Sequence, residues 1–207
     1  MNERTLLILA VTAISEYFRT GAYADNFDSK ELANIVIAHA AAAGLSAMAA
    51  GVLPGVGSLI AIGICTGAIW TMYIRIGAYL HLSIGLDVLK AIAAAVLANI
   101  ATQLAGILVL ELALGFVPGA AILIGGAVNF AVTYIAGIIY LFALESIFKA
   151  GGDPSKMSAA EMKKHFKAAA KDVNVKTAFS EAKKTFTQMN EDGSLQKEGG
   201  SVNIQTD

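Results

Sequence analysis

The sequence predicts an all-α membrane protein: an N-terminal amphipathic helix, two helical hairpins (four apolar helices related by an internal repeat) and a C-terminal cytoplasmic helical tail. Three observations carry this prediction. The 207 residues are 56% hydrophobic, and charge is absent from 43 residues between Leu32 and Ile74, from 20 between Ala91 and Leu110, and from 33 between Leu112 and Leu144. About 20 mainly apolar residues suffice for a helix to cross ~30 Å of hydrocarbon, so runs on this scale belong in a bilayer. The stretch "GVLPGVGSLI", Gly51 to Ile60, returns as "GFVPGAAILI", Gly115 to Ile124. Nine lysines follow Gly151, and a lysine bias of this kind marks a cytoplasmic segment.

The chain divides into an interfacial helix and linker over 1–27, a two-hairpin membrane domain over 28–150, and a lysine-rich helical tail ending in disorder over 151–207. In the first segment, Arg4, Thr5, Thr12, Ser15, Glu16 and Arg19 fall on one arc of a helical wheel. Leu6, Leu7, Leu9, Ala10, Ala13, Ile14, Tyr17 and Phe18 fall on the other. That pattern fits a helix lying in the membrane interface, and equally one whose apolar face covers the bundle. A signal peptide is disfavoured, because Glu16 and Arg19 stand where a cleavage region prefers neutral residues.

"FDSKEL" opens the first hairpin: Asp28 caps, Glu31 bonds back, and Phe27 staples onto Leu32. The apolar helices are expected over Ser29 to Val52, Ser58 to Leu82, Leu86 to Leu114 and Ala120 to Phe148. Pro54–Gly55 and Pro118–Gly119 break the runs, since proline removes a donor and restrains the residue before it, while glycine tolerates positive φ. Both turns lack charge, whereas Arg75, His81, Asp87 and Lys90 flank the middle connection. The termini and the 83–86 connection are therefore expected on the cytoplasmic side, with the Pro–Gly turns at the far face. Uncharged tips would also suit re-entrant hairpins that dip into the bilayer without crossing.

Helix packing in lipid relies on close approach and polar contact. Gly63, Gly67 and Thr71 form a small-residue row leading to Arg75; Ala121, Gly125, Asn129, Thr133 and Gly137 form another. Asn99 and Gln103 stand one turn apart, and a bond from either to Asn129 or Thr133 across an interface is the structural reading. The functional reading is a polar path also including Arg75. Arg75 is expected near the cytoplasmic interface, where its stem can snorkel. Glu111 is expected near the far interface, in water or paired with a neighbouring subunit.

Other chemistry is sparse. Cys65 is the sole cysteine, and His39, His81 and His165 are scattered, so neither a disulfide nor a metal centre is expected. Phosphate-loop, nucleophile-elbow and zincin motifs are absent, which argues against an enzyme, a cofactor or a metal. In the tail, "GGDPS" reads as a linker and Ser158 with Glu161 as a capping box. Met162, Phe166 and Ala169 share one apolar face; Phe179, Ala182 and Phe186 share another beyond a break near Asn174. Lys163, Lys164, Lys167 and Lys171 would meet anionic headgroups or a soluble partner. From Glu191 the composition reads as disorder.

The block "FVPGAAILIGGAVNFAVTYIAGIIYLFALESIF", Phe116 to Phe148, resembles the closing pattern of YcjF-like bacterial helical membrane domains, and "GVLPGVGSLIAIGICTGAIWTMYIRIGAYLHLSI" fits their opening hairpin. The likeness covers about Ile35 to Phe148. It rests on Pro54, Gly55, Pro118, Gly119, Gly125, Gly126 and Asn129. That family is of unknown function and often associated with small GTPases, which implies a separate cytosolic GTPase as partner, since this chain carries no such domain. The expectation is a non-enzymatic membrane anchor or self-assembling scaffold in a bacterial cell membrane, both termini cytoplasmic, with lipids and further copies of itself as partners and no nucleic acid. Membrane shaping is an extension of that reading; a small channel or transporter subunit is the alternative.

Overall fold

The computed structural model describes residues 5–19, 28–50, 57–114 and 120–202, without the side-chain surroundings at 5, 16–19, 57–63, 108–114 and 120–121. Within these residues the helices are α1 (Thr5–Arg19), α2 (Ser29–Ala50), α3 (Gly57–Tyr79), α4 (Leu86–Leu114), α5 (Ala120–Lys149), α6 (Ala159–Asp172), α7 (Val175–Glu191) and α8 (Ser194–Gly199). A 3-10 turn, Pro154–Lys156, precedes α6, and no strand occurs among the described residues.

Asp28 starts α2 by accepting the Lys30 backbone N–H on its carboxylate at 2.8 Å. The reciprocal bond expected from Glu31 is replaced by a long-range one. The Asp28 N–H donates to the Tyr79 hydroxyl at 2.7 Å, and that hydroxyl donates to the Asp28 carbonyl at 2.9 Å. Tyr79 thus ties the end of α3 to the start of α2. The Phe27 staple lies outside the described residues, as do all four turn residues, Pro54, Gly55, Pro118 and Gly119.

The third helix ends at Tyr79, three residues before the expected Leu82. His81 adopts φ 55°, and the Leu82 N–H reaches back to the Gly77 carbonyl at 2.8 Å, closing the helix end in the left-handed manner usual for glycine. The end of α5 is closed in the same way: Gly151 has φ 72°, its N–H bonds the Phe148 carbonyl at 2.9 Å, and the Gly152 N–H bonds the Ile147 carbonyl at 2.9 Å. "GGDPS", expected to be a linker, is consequently a defined corner. Pro154 is buried, Asp153 caps the Ser155 N–H at 3.0 Å, and the Ser155 hydroxyl accepts the Ser83 N–H at 3.0 Å.

At the centre stands α5, buried without a break from Phe130 to Leu141 and packed by α1, α2, α3, α4, α6 and α7. One apolar core runs from Leu7 in α1 to Leu195 in α8, so it crosses the segment boundaries expected near 28 and 150. Of the two readings of α1, the contacts match the covering one, with Leu7, Ala10, Val11 and Ile14 buried. Ile8 and Leu9 remain half exposed on its outer side.

The tail departs most from expectation. Its capping box is present, with the Ser158 N–H and hydroxyl both on the Glu161 carboxylate at 2.9 and 2.7 Å. Asn174 caps α7 through the Thr177 N–H at 3.1 Å. Disorder from Glu191 onward is not what the chain shows up to Val202. The Asp192 carboxylate accepts the Ser194 N–H at 2.8 Å and α8 follows, with Leu195 fully buried. A Cβ at Gly199 would lie 2.8 Å from the Ala41 carbonyl carbon, so only glycine seats α8 this closely on α2. Composition suggested disorder because it weighs the polar residues and misses that one leucine and one glycine have a ready-made seat.

Candidate functional site

Three helices among the described residues are long and apolar enough to cross a membrane: Ser29–Ala50, Leu86–Ile107 and Ile122–Lys149. They differ in what they show outward. The last is mostly covered by other helices, whereas α4 is only one-third buried over its apolar window. Its open side carries Ala94, Ala98, Ala101, Thr102, Ala105 and Gly106, with no charged residue from Ala91 to Leu110. Helices that face water carry charged and polar side chains on that side. The α4 face instead has the composition of a surface meant for lipid or for another helix.

The amide side chains of α4 and α5 bond mainly within their own helices. The Gln103 amide donates to Asn99 at 2.7 Å and to the Ala170 carbonyl of α6 at 3.2 Å. Asn129 donates to the Gly125 carbonyl of its own helix at 3.0 Å. The expected bond across α4 and α5 is therefore not made. Thr133 instead meets the Cys65 sulfur at 3.7 Å, and the Tyr73 hydroxyl donates to the Ala136 carbonyl at 3.1 Å, both joining α3 to α5. Arg75 is exposed, and the side chain of Glu111 lies outside the described residues. Asn99 and Gln103 thus bond each other, and Asn129 bonds its own helix.

The glycine rows are shifted from those expected. A Cβ at Gly125 would meet nothing within 4 Å, while at the next residue, Gly126, it would lie 2.5 Å from Met48 Cγ, 2.9 Å from Phe186 Cζ and 3.1 Å from the Gly44 carbonyl oxygen. Gly137 faces Val36 at 2.7 Å, as the row predicted. A strict four-residue row drifts around the helix by about 40° per step, so Gly125 and Gly137 cannot share one contact. Gly67 is buried, with its carbonyl accepting the Thr71 hydroxyl at 2.9 Å; the surroundings of Gly63 are outside the description.

Aromatic contacts that the sequence did not show join the tail to the apolar helices. Tyr73 and Tyr140 stack with ring centroids 4.0 Å apart, and Phe166 of α6 packs on Tyr140 at 5.4 Å. Phe186 of α7 meets Phe130 edge-on at 5.7 Å and fills the notch between Gly44 and Gly126. The only legible signal for this was that Phe166 and Phe186 each lie on the apolar face of an amphipathic helix. The Tyr140 hydroxyl beneath is buried without a partner, which costs about 1–3 kcal/mol. Lys163, Lys164, Lys167 and Lys171 are all exposed on the opposite side of α6.

The acidic groups at the tail corners are held in their charged forms. The Ser158 hydroxyl and backbone N–H on Glu161 keep its carboxyl below the usual range, Lys156 and the Ser155 N–H do so for Asp153, and Ser194 for Asp192. These are structural caps. Among the described residues no group of three His, Cys, Asp or Glu side chains is placed to hold a metal ion. What the arrangement offers is surface: an uncharged face on α4 and a basic face on α6 and α7. No family model, curated protein or solved structure matches the chain.

Proposed function

We propose that this chain is a non-enzymatic integral membrane anchor that self-assembles into a scaffold, with both termini cytoplasmic. The uncharged, open face of α4 carries the proposal, because exposing it to water has no rationale while lipid or a second helix suits it. Ala94, Ala98, Ala101 and Ala105 recur at four- and three-residue spacing along that face, which lets another helix approach closely. Gly67, Gly126 and Gly137 are already occupied within the chain, so assembly falls to α4. The lysines of α6 and α7 serve anionic headgroups or a soluble partner; a cytosolic GTPase is the partner that the YcjF-like resemblance implies. The local bonding of Asn99, Gln103 and Asn129 weighs against a channel.

The test is reconstitution into liposomes with imaging of the vesicles and counting of subunits. Tubes, buds or large regular assemblies are expected, and Ala98→Leu with Ala101→Leu should disperse them. Small discrete particles in round vesicles, with solute flux abolished by Asn99→Leu and Asn129→Leu, would replace the scaffold with a channel.

A further inference from the structure

The helices after Asp153 lie along the spans and do not hang from their end. His165 of α6 meets Ser146 at 3.4 Å, Phe166 packs on Tyr140, the Ala170 carbonyl accepts from Gln103, and Phe186 of α7 reaches Phe130 and Gly126. From Gly126 to Ser146 is twenty residues of α5, about 30 Å at roughly 1.5 Å per residue, which matches the full hydrocarbon thickness of a bilayer. Between the two anchoring ends, His165 and Phe186, the chain carries Lys167, Lys171, Lys176 and Lys184 on its outer side, all exposed, together with Asp172. If α5 crosses a membrane in this arrangement, those charges sit at hydrocarbon depth.

We propose that α6, α7 and α8 form a detachable cover, with α6 and α7 seated on the face of α4 and α5 that enters lipid and α8 on α2, so that docking of the cover and spanning by α5 exclude each other. This rests on the membrane reading above. Charged side chains at the bilayer centre are strongly disfavoured, and snorkelling rescues only those near its edges. The surface under the cover is the reverse: α5 has no charge from its first residue to Leu144, and Phe130, Ala127 and Tyr140 are apolar or nearly so. Lipid and cover are therefore alternative occupants of one surface. The junction suits the exchange, because the chain passes from α5 to the cover through the Gly151–Gly152 corner, and the cover can leave without breaking any backbone bond within the helix. Docked, the chain hides its most apolar helix. Released, the cover presents its lysines to the cytoplasmic headgroups.

The contact between Gln103 and Ala170 reports the docked state. In the full chain with Cys65→Ser, the pair Gln103→Cys and Ala170→Cys is treated with a short bismaleimide, once after cell-free synthesis without lipid and once after synthesis onto vesicles of neutral and anionic phospholipid. Efficient intramolecular crosslinking is expected without lipid, and at least a tenfold loss in the carbonate-resistant vesicle fraction. Phe186→Ala, which empties the notch between Gly44 and Gly126, should lower the lipid-free crosslink severalfold and raise the inserted fraction. Equal crosslinking in the carbonate-resistant fraction would overturn the exclusion; absence of the crosslink without lipid would overturn the docking. A chain that crosslinks yet never becomes carbonate-resistant would overturn the membrane reading itself.

Discussion

Gly125 and Gly126 are neighbours in one helix, and replacing each by alanine should move stability in opposite directions. Alanine gains about 0.5–1 kcal/mol over glycine in a helix interior at both positions, by restricting the unfolded chain. At Gly125 nothing lies within 4 Å of the new methyl, so that gain stands. At Gly126 the methyl would lie 2.5 Å from Met48 Cγ, 2.9 Å from Phe186 Cζ and 3.1 Å from the Gly44 carbonyl oxygen. Met48 can swing aside, but the ring and the α2 backbone can only move away bodily. Overpacking of this kind costs roughly 1–3 kcal/mol, leaving Gly126→Ala about 0.5–2 kcal/mol less stable than the native chain. At about 1.4 kcal/mol per tenfold, the two variants should differ by roughly ten- to a hundredfold in unfolding equilibrium constant. Reversible unfolding in mixed micelles of mild detergent and dodecyl sulfate, followed by circular dichroism, measures this. A Gly126→Ala protein as stable as the native one, or a Gly125→Ala protein less stable, would refute the packing of α2 on α5. Met48 and Gly44 belong to α2 and Phe186 to the cover, so the loss is largest with the cover docked and falls to the α2 contacts when it leaves.

Two further substitutions probe the corners of the bundle. Tyr79→Phe removes both bonds to Asp28 and should cost about 1 kcal/mol, seen as faster hydrogen exchange in the first turn of α2; unchanged exchange there would show that the clamp contributes nothing. Acidification should loosen α6 at its start. The Ser158 hydroxyl holds the folded pKa of Glu161 below its ordinary 4.5, so the stability contributed is complete above that value and is lost as pH falls through the lower folded one. Amide exchange in the first turn of α6 should rise over that interval in the native chain and lose this dependence in Glu161→Gln, and a native profile flat down to pH 3 would contradict it.

Local rules accounted for much of the fold. Helix starts at Asp28 and Ser158 were legible because a cap needs only a side-chain oxygen a few residues from a free N–H. The long uncharged runs announced α2, α4 and α5 because hydrocarbon sets a length that sequence can meet or miss. The apolar faces holding Phe166 and Phe186 were visible from the helical period. What they pack against was not. Local pattern has no information about which of two adjacent glycines faces a neighbour, so Gly126 and Gly44 were passed over in favour of Gly125. Nor does it register that Gln103 and Asn129 find partners within reach on their own helices before they find each other. By itself, then, the sequence determined that the segments up to α7 are helical, where several of them begin and which are apolar enough for a bilayer, since those follow from spacing and hydrophobicity along a single chain. Only the tertiary structure decided that the lysine-rich helices lie along α5 and that a leucine and a glycine anchor the last helix, because those depend on the shapes of surfaces that exist only after the helices have met.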